Sequence, residues 1–299
     1  MKNRWLPILL GLALLAPGFC FAKKNYKDME SKIPYQELDE LRVTIELSMA
    51  ELTLGQTQGN NLLEAKIHYQ ERRDEPTIHF EQKGKIGYLT IKSGEKEDDD
   101  DKGISIKVGR MSIAGSRDEE TWELLFSPKV RTSFEISLGL VDGELDLTDL
   151  RVYDLSIESG LADLELTFDR PNTEIIENMK FEVGLGDLKA NKLGNANFKM
   201  LRVETGLGSA DLDFSGKWQV KDAEMKIEVG LGSAEITIPE TIGVEVQAEE
   251  GFLSSVDLDR DIKKIRKGLH RSKNWESAGQ RFVIDAEVGL GSLDINISE

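Results

Sequence analysis

One phrase recurs along the chain and constrains its fold more than any other feature. The copies read SGLADLELTF, VGLGDLKA, TGLGSADLDF, VGLGSAEITI and VGLGSLDINI, and their first glycines are Gly160, Gly184, Gly206, Gly230 and Gly289. The first four of these glycines recur at nearly equal spacing along the chain. A regular period of roughly 20–50 residues is typical of repeat proteins, in which one short structural unit stacks on the next.

The columns of the repeat show alternation on both sides of the first glycine. Counted from that glycine, positions −5, −3, +4, +6 and +8 are mostly apolar, whereas +3, +5 and +7 are polar. Period-two alternation predicts a strand, a tight corner and a second strand in each unit. We expect the five first glycines to be structural corners with a positive φ angle, which glycine adopts most easily.

A leucine follows the corner glycine in every copy, at Leu161, Leu185, Leu207, Leu231 and Leu290. A hairpin meander would also alternate, but a unit of about 22 residues is long enough for one coil of short strands. Stacked coils would join the leucines into one continuous internal ladder. The sequence therefore favours an all-β solenoid of ~22-residue strand–Gly corner–strand repeats over a meandering sandwich.

A glutamate occupies position −2 in every copy, at Glu158, Glu182, Glu204, Glu228 and Glu287. Stacked coils would place these carboxylates about 4.8 Å apart, where each adjacent pair costs on the order of 1 kcal/mol in water. Lys180, Arg202 and Lys226 stand two residues earlier and can offset that repulsion. We interpret the column as a surface ladder of ion pairs in preference to a cation or ligand site.

The N-terminal segment over 1–22 has the layout of a secretory signal peptide. Lys2 and Arg4 precede an apolar run from Trp5 to Phe21, and the small residue Ala22 then stands before Lys23. A membrane anchor is the alternative, but the run is short and contains two prolines. Cleavage after Ala22 would remove Cys20, the single cysteine, and leave a mature chain with no transmembrane segment, exported to the periplasm or cell surface.

Net charge limits the partners of such a chain. Without the two basic residues of the signal, 36 of the 38 Lys and Arg residues remain against 55 Asp and Glu, which gives −19. Nucleic acid and anionic lipid surfaces are poor partners for a protein this acidic. Basic peptides, cations and neutral glycans are electrostatically permitted, and we expect an envelope protein or polysaccharide.

Composition and pattern divide the chain into four parts. We expect a signal peptide over 1–22, a linker or short helix over 23–40, an N-terminal β part of the solenoid over 41–126 and the regular repeats over 127–299. The charged run 95–102 is predicted to be a solvated loop.

The repeats are interrupted by a basic insertion over 259–281. Ile262, Ile265 and Leu269 have helical spacing, which predicts a short amphipathic helix. Its role would be either to cover an exposed edge or to dock an acidic partner or envelope polymer. The array should then end in the VGLGSLDINI coil.

No motif assigns a catalytic, cofactor or metal site. GLGSADLDF resembles the calcium-binding nonapeptide of secreted β-rolls, but that site needs copies about nine residues apart. The glycine corners lead into strands and are surrounded by carboxylates, which is unlike a phosphate-binding loop. A ladder of equivalent glutamates also lacks the unequal carboxyl groups that acid–base catalysis uses.

The chain resembles the toast-rack proteins, which are bacterial envelope domains often described as adhesin-like or of unknown function. The resemblance rests on LRVTIELSMAELTLG, on the stretch from FEISLGLVDGELDLTDL to SGLADLELTF, and on the repeated GLG corners, and it covers most of residues 40–299. It implies a right-handed β-solenoid at the cell envelope without catalytic residues. The acidic run and the basic insertion depart from the plain repeat.

These observations predict a secreted, non-catalytic β-solenoid of the cell envelope with a binding or structural role. Two other functions remain open. A carbohydrate-active solenoid enzyme would need a groove with two unequal carboxyl groups and a nearby arginine, and a cation-dependent adhesin would be stabilised by calcium.

Overall fold

The computed structural model describes residues 25–71, 73–94, 120–249 and 254–298. Within these ranges the chain forms one open, 16-stranded sheet, and its one helical element is a short 3-10 turn at Leu193–Asn195. The all-β class predicted from the repeats is confirmed. The predicted signal peptide over 1–22 and the charged run 95–102 lie outside the described residues.

Seven long strands form the body of the sheet. They are β2 (Glu40–Gln56), β7 (Arg131–Asp146), β8 (Arg151–Thr167), β9 (Ile176–Asn191), β10 (Phe198–Asp213), β11 (Asp222–Pro239) and β16 (Arg281–Ser298). Neighbours in this order are parallel, and equivalent repeat positions lie opposite one another, as Leu207 does between Leu185 and Leu231. The repeat columns of the sequence are therefore rows that run across the sheet.

Each repeat contributes one strand that continues through the glycine corner, where the sequence predicted two strands joined by a turn. We call the residues before the corner the first half of the strand and those after it the second half. Alternate residues of both halves are buried, as Ile227 and Ile236 show in β11. Phe198, Phe214 and Phe282 belong to an aromatic cluster in this core, with ring centroids 4.8–6.0 Å apart.

The return turns between strands are closed by buried asparagines. Asn172 donates to the carbonyl oxygens of Val152 (2.6 Å) and Ala196 (3.1 Å), and Asn195 donates to that of Phe168 (2.8 Å). Such bonds give hydrogen-bond partners to the backbone oxygens of buried residues, where an unpaired polar group is costly. These bonds join successive turns, so the turns stack in the same direction as the strands.

Shorter strands extend the sheet beyond β2. They are β1 (Tyr26–Pro34), β3 (Asn61–Gln70), β4 (Thr77–Lys83), β5 (Ile86–Lys92) and β6 (Thr121–Phe126). β5 pairs with the first half of β2 and β6 with its second half, and β4, β3 and β1 add to these by antiparallel pairing. Half of the range 23–40, expected to be a linker or short helix, is instead a strand, because β1 pairs with β3 over Tyr26–Pro34.

At the other end, the C-terminal strand is not outermost. β12 (Gly243–Glu249) and β13 (Ser254–Leu258) pair with the first and second halves of β16, which lies between them and β11. The VGLGSLDINI strand is therefore not the last strand of the sheet, and the prediction that the array ends there is wrong. β12 and β13, which precede β14 in the chain, lie beyond β16 instead.

The basic insertion forms a β-hairpin, so the predicted helix is wrong. Its strands are β14 (Ile262–Arg266) and β15 (Leu269–Ser272), and β15 pairs with β12. Pairing with β15 gives hydrogen-bond partners to the backbone groups along the edge of β12. This gain outweighs the helical spacing of three apolar residues. Ile262 is buried, whereas Ile265 is 56% exposed.

Candidate binding surface

Glycine occupies two columns at the corner, and each column requires glycine for a different structural reason. The second glycine of each GLG has the positive φ angle, between +121° and +150° at Gly186, Gly208, Gly232 and Gly291. The first glycine does not, so the expectation of positive φ at that position is wrong. At Gly206 a Cβ would lie 2.5 Å from the carbonyl oxygen of Gly184 on the next strand. The first column is therefore glycine because the strands approach closely.

The leucines after the corner are exposed, so the prediction of an internal ladder is wrong. Leu161, Leu185, Leu207, Leu231 and Leu290 are 40–49% exposed, and they continue through Leu140 to Met49, which is 43% exposed. We call this row the leucine ladder. It contains six of the eight large hydrophobic side chains that are exposed among the described residues. Position +1 is odd-numbered, as are the polar positions +3 and +5. Because alternate residues of a strand share a face, this pattern could have predicted that the leucines point outward.

The predicted glutamates at −2 form a second row, which we call the glutamate ladder, and they are paired with cations. Lys180 Nζ lies 2.8 Å from both Glu158 Oε1 and Glu182 Oε1. Arg202 joins Glu204 and Glu228 in the same way, and Lys226 lies 2.8 Å from Glu228 and 3.7 Å from Glu287. Each of the three cations thus bridges two strands, in the arrangement that the sequence pattern indicated.

These ion pairs change the protonation equilibria of the row. Hydrogen bonds to Glu158 and Glu182 raise the pKa of Lys180 above its ordinary value. The Lys226 ammonium, as hydrogen-bond donor and positive charge, lowers the pKa of Glu228. Three cations thus stand among the five glutamates and offset part of the negative charge of this row.

An open groove of about 1790 Å³ follows the corner along the stack. Glutamate-ladder side chains and all five predicted corner glycines line it, from Glu46 on β2 to Glu287 and Gly289 on β16. The absence of side chains at the glycines leaves backbone exposed along its length. The leucine ladder begins at the very next residue on each strand, so groove and ladder are adjacent and run in the same direction.

A third row lies on the outward face of the second half, and we call it the acidic ladder. It consists of Asp211, Glu235, Asp294 and Asp257, at the +5 position of β10, β11 and β16 and the equivalent position of β13. Among the described residues none of the four forms an ion pair; Glu235 accepts a hydrogen bond from Asn296 (3.0 Å). The next position of this row, on β9 opposite Asp211, is Lys189, which pairs with Glu165 of β8 (3.2 Å). Sequence reasoning recorded the column only as polar and missed the run of four carboxylates.

A smaller pocket of about 380 Å³ lies on the first half of β2, β5, β7 and β8. Asp154, Glu135 and Arg42 line it together with several hydroxyl groups. Burial, and to a smaller extent the Glu135 charge, raises the pKa of Asp154. A bulge in the pairing of β7 with β8 directly precedes Asp154. The pocket therefore holds two carboxyl groups in unequal environments.

The described part of the chain shows no arrangement for a metal or a membrane span. No group of three or more His, Cys, Asp or Glu side chains in these ranges is placed to hold a metal ion. No helix there has the length and apolar character needed to cross a bilayer. The potential ligand-binding features are therefore the groove, the three ladders and the small pocket.

Sequence comparison identifies one matching family. Its description is the N-terminal domain of toast_rack, DUF2154, and it matches residues 22–189 and again residues 171–237. Together these ranges span more than half of the chain. No curated protein matches this chain.

The solved structures whose backbones resemble that of this chain are distant from it in sequence. A proposed cell adhesion protein from Clostridium sporogenes is 18% identical, with 92% of this chain and 100% of that chain covered and a TM-score of 0.46. A proposed adhesin from Bacteroides fragilis is 11% identical, with 91% and 97% covered and a TM-score of 0.31. A proposed lipid-binding protein from Parabacteroides distasonis is 13% identical, with 92% and 97% covered and a TM-score of 0.25. At these values no function is transferred.

Proposed function

This chain belongs to the toast-rack family, and from that premise we propose that it is an exported, non-catalytic, right-handed β-solenoid of the cell envelope. Its role would be adhesin-like: it binds a partner on the outward surface of its strands. Export is supported by the charged start, apolar run and small residue of positions 1–22. The periplasm and the cell surface both fit this proposal.

The observation that supports binding is the leucine ladder. Exposed hydrophobic side chains are normally scattered, whereas contiguous apolar patches rimmed by polar residues mark interaction sites. Of the eight exposed large hydrophobic side chains in the described ranges, six stand in one row across seven parallel strands, beside a groove of about 1790 Å³. Full burial of a fully exposed leucine contributes about 1.5–3 kcal/mol. The ladder leucines are 40–49% exposed, so a partner gains roughly half of that for each one it covers.

Substitutions within the ladder test this proposal. We expect Leu207→Ser combined with Leu231→Ser to abolish retention of a specific envelope component on the immobilised chain, with the thermal transition unchanged. Ile175→Ser is the matched control, because Ile175 is 46% exposed but lies off the ladder. Equal retention by the wild type, the double variant and the control would contradict a binding role for the ladder.

A second candidate function is hydrolysis of a glycan at the small pocket. Asp154 and Glu135 have unequal environments there and Arg42 is nearby, which is the combination that acid–base chemistry on sugars uses. Against it, Arg42 donates a 2.6 Å hydrogen bond to Glu40 and is already engaged. Incubation of wild type and Asp154→Asn with envelope polysaccharides decides the matter: release of reducing ends by the wild type alone would support it, and no release by either would exclude it.

A further inference from the structure

The leucine ladder and the acidic ladder together identify the kind of partner. We propose that they form a docking surface for a cationic amphipathic α-helix of a partner protein, which lies across the strands along the stack. This rests on the proposed binding function and adds the chemistry of the partner to it. Three features of the surface lead to that partner: its dimensions, its charge and the spacing of its side chains.

The dimensions match those of a helix. The leucine ladder crosses seven strands, and six steps of about 4.8 Å make it about 29 Å long. A helix of about 19 residues has that length at about 1.5 Å per residue. Position +5 lies four residues from position +1, or about 13 Å along a strand, which is close to the roughly 10–12 Å diameter of a helix with its side chains. A helix that lies between the two rows, with one flank on Leu207 and Leu231, would therefore have its other flank over Asp211 and Glu235.

The spacing distinguishes a helix from an extended segment. Successive turns of a helix rise about 5.4 Å, so an apolar stripe offers one anchor for nearly every strand of the ladder. In an extended segment, side chains on one face recur about every 6.6 Å, and its anchors would soon fall between the leucines. The ladder also runs across the strands, so its direction does not favour added-strand pairing.

The charge of the acidic ladder favours a cation on the partner. Three cations bridge the glutamate ladder, but the acidic ladder has no ion pair among the described residues. Its neighbouring carboxylates repel one another by on the order of 1 kcal/mol per pair, and lysine or arginine side chains of a bound helix would relieve that repulsion. A second copy of this chain, of net charge −17, or an anionic bilayer would bring further negative charge to the same place.

Three synthetic peptides test this proposal with the full chain. The first is a helix former of about 19 residues, sized to the ladder, with leucine on one face and lysine on the other. The second has the same composition in scrambled order, and the third carries glutamate in place of lysine. We expect the first to bind about tenfold more tightly than either of the others in fluorescence anisotropy, with affinity that falls as salt is raised.

Protein variants locate the site. Leu207→Ser with Leu231→Ser should lower the affinity about tenfold, and Asp211→Asn with Glu235→Gln should weaken binding and reduce its salt dependence. Ile175→Ser should leave both unchanged. Equal binding of the amphipathic and scrambled peptides, or equal binding by all variants, would overturn the proposal. If the peptides fail while the leucine variant still loses its envelope partner, the binding function stands and only the helix is wrong.

Discussion

Adding one methyl group at the second glycine of a corner should destabilise the whole stack. At Gly208, which has a φ of +147°, a Cβ would lie 1.8 Å from the carbonyl oxygen of Gly186 on the neighbouring strand. Real Cβ contacts almost never fall below 3.0 Å, so the oxygen would have to retreat by at least the difference between these two distances. That oxygen belongs to the backbone of β9, which is itself packed against β8, and the displacement cannot be confined to one side chain.

The expected cost follows from two contributions. Forcing a non-glycine residue into a positive-φ conformation costs about 1–2 kcal/mol. Overpacking against a fixed neighbour adds about 1–3 kcal/mol. Gly208→Ala should therefore lower the free energy of unfolding by about 2–5 kcal/mol, measured by urea denaturation of the purified chain as a shift of the midpoint at unchanged slope.

Three other glycines separate these contributions. Gly84 has a φ of +65° with open space around it, so Gly84→Ala measures conformation alone. Gly206 lacks the positive φ but faces an oxygen at 2.5 Å, so Gly206→Ala measures the contact alone. Gly279→Ala, with neither feature, is the control. If Gly84→Ala destabilises as much as Gly208→Ala, close approach of the strands is not what requires glycine at the corner.

Four further outcomes are expected. Glu204→Gln should cost no more than about 1 kcal/mol in the same denaturation assay, because exposed ion pairs contribute little; a loss equal to that of Gly208→Ala would contradict this. Asp154 has a folded-state pKa raised above 3.8, so its contribution to stability is lost as pH rises through that shifted value. Asp154→Asn should therefore stabilise the protein at neutral pH and not in acid, and the opposite pH trend would refute the assignment. Lys263→Thr with Lys264→Thr on the edge strand should increase aggregation in light scattering, since edge lysines oppose strand addition; unchanged scattering would argue against edge protection. Intact-mass measurement of exported material should find a chain that begins near Lys23, and retention of residue 1 would contradict cleavage.

Much of the architecture could be predicted from the sequence because a repeat converts local alternation into a long-range rule. Once Leu185, Leu207 and Leu231 are known to be equivalent, parallel stacking in register follows from the period. The ion pairs of Lys180 and Arg202 follow from the same columns. The domain boundaries at 40 and 126 stay predictions.

The side of the leucine ladder could not be predicted from constancy alone. A leucine that recurs in every copy is expected in a core, yet in alternating strands the odd position of the residue decides which face it occupies. Leu207 shares its face with Asp211, and both are outward. A constant hydrophobic residue on a polar face is therefore a sign of recognition more than of packing.

The ends of the sheet escaped prediction for a different reason. The pairing partners of β12 and β16 are set by which edges remain open after the other strands have paired, and no local pattern contains that information. A helical period fits Ile262, Ile265 and Leu269. These residues instead belong to a hairpin that pairs with the backbone groups of the open edge. Short apolar spacings are ambiguous in this way.

Hydroxyl-radical footprinting of the unmodified chain tests the central claim most directly. Oxidation of leucine-ladder side chains is compared between the purified protein and the protein in its native envelope, with Ile175 as internal reference. We expect Leu185, Leu207 and Leu231 to be oxidised in the purified protein and protected in the envelope, while Ile175 is oxidised equally in both. Equal oxidation of the ladder in the two samples would contradict a partner on this surface, and resistance of the ladder in the purified protein would contradict its exposure.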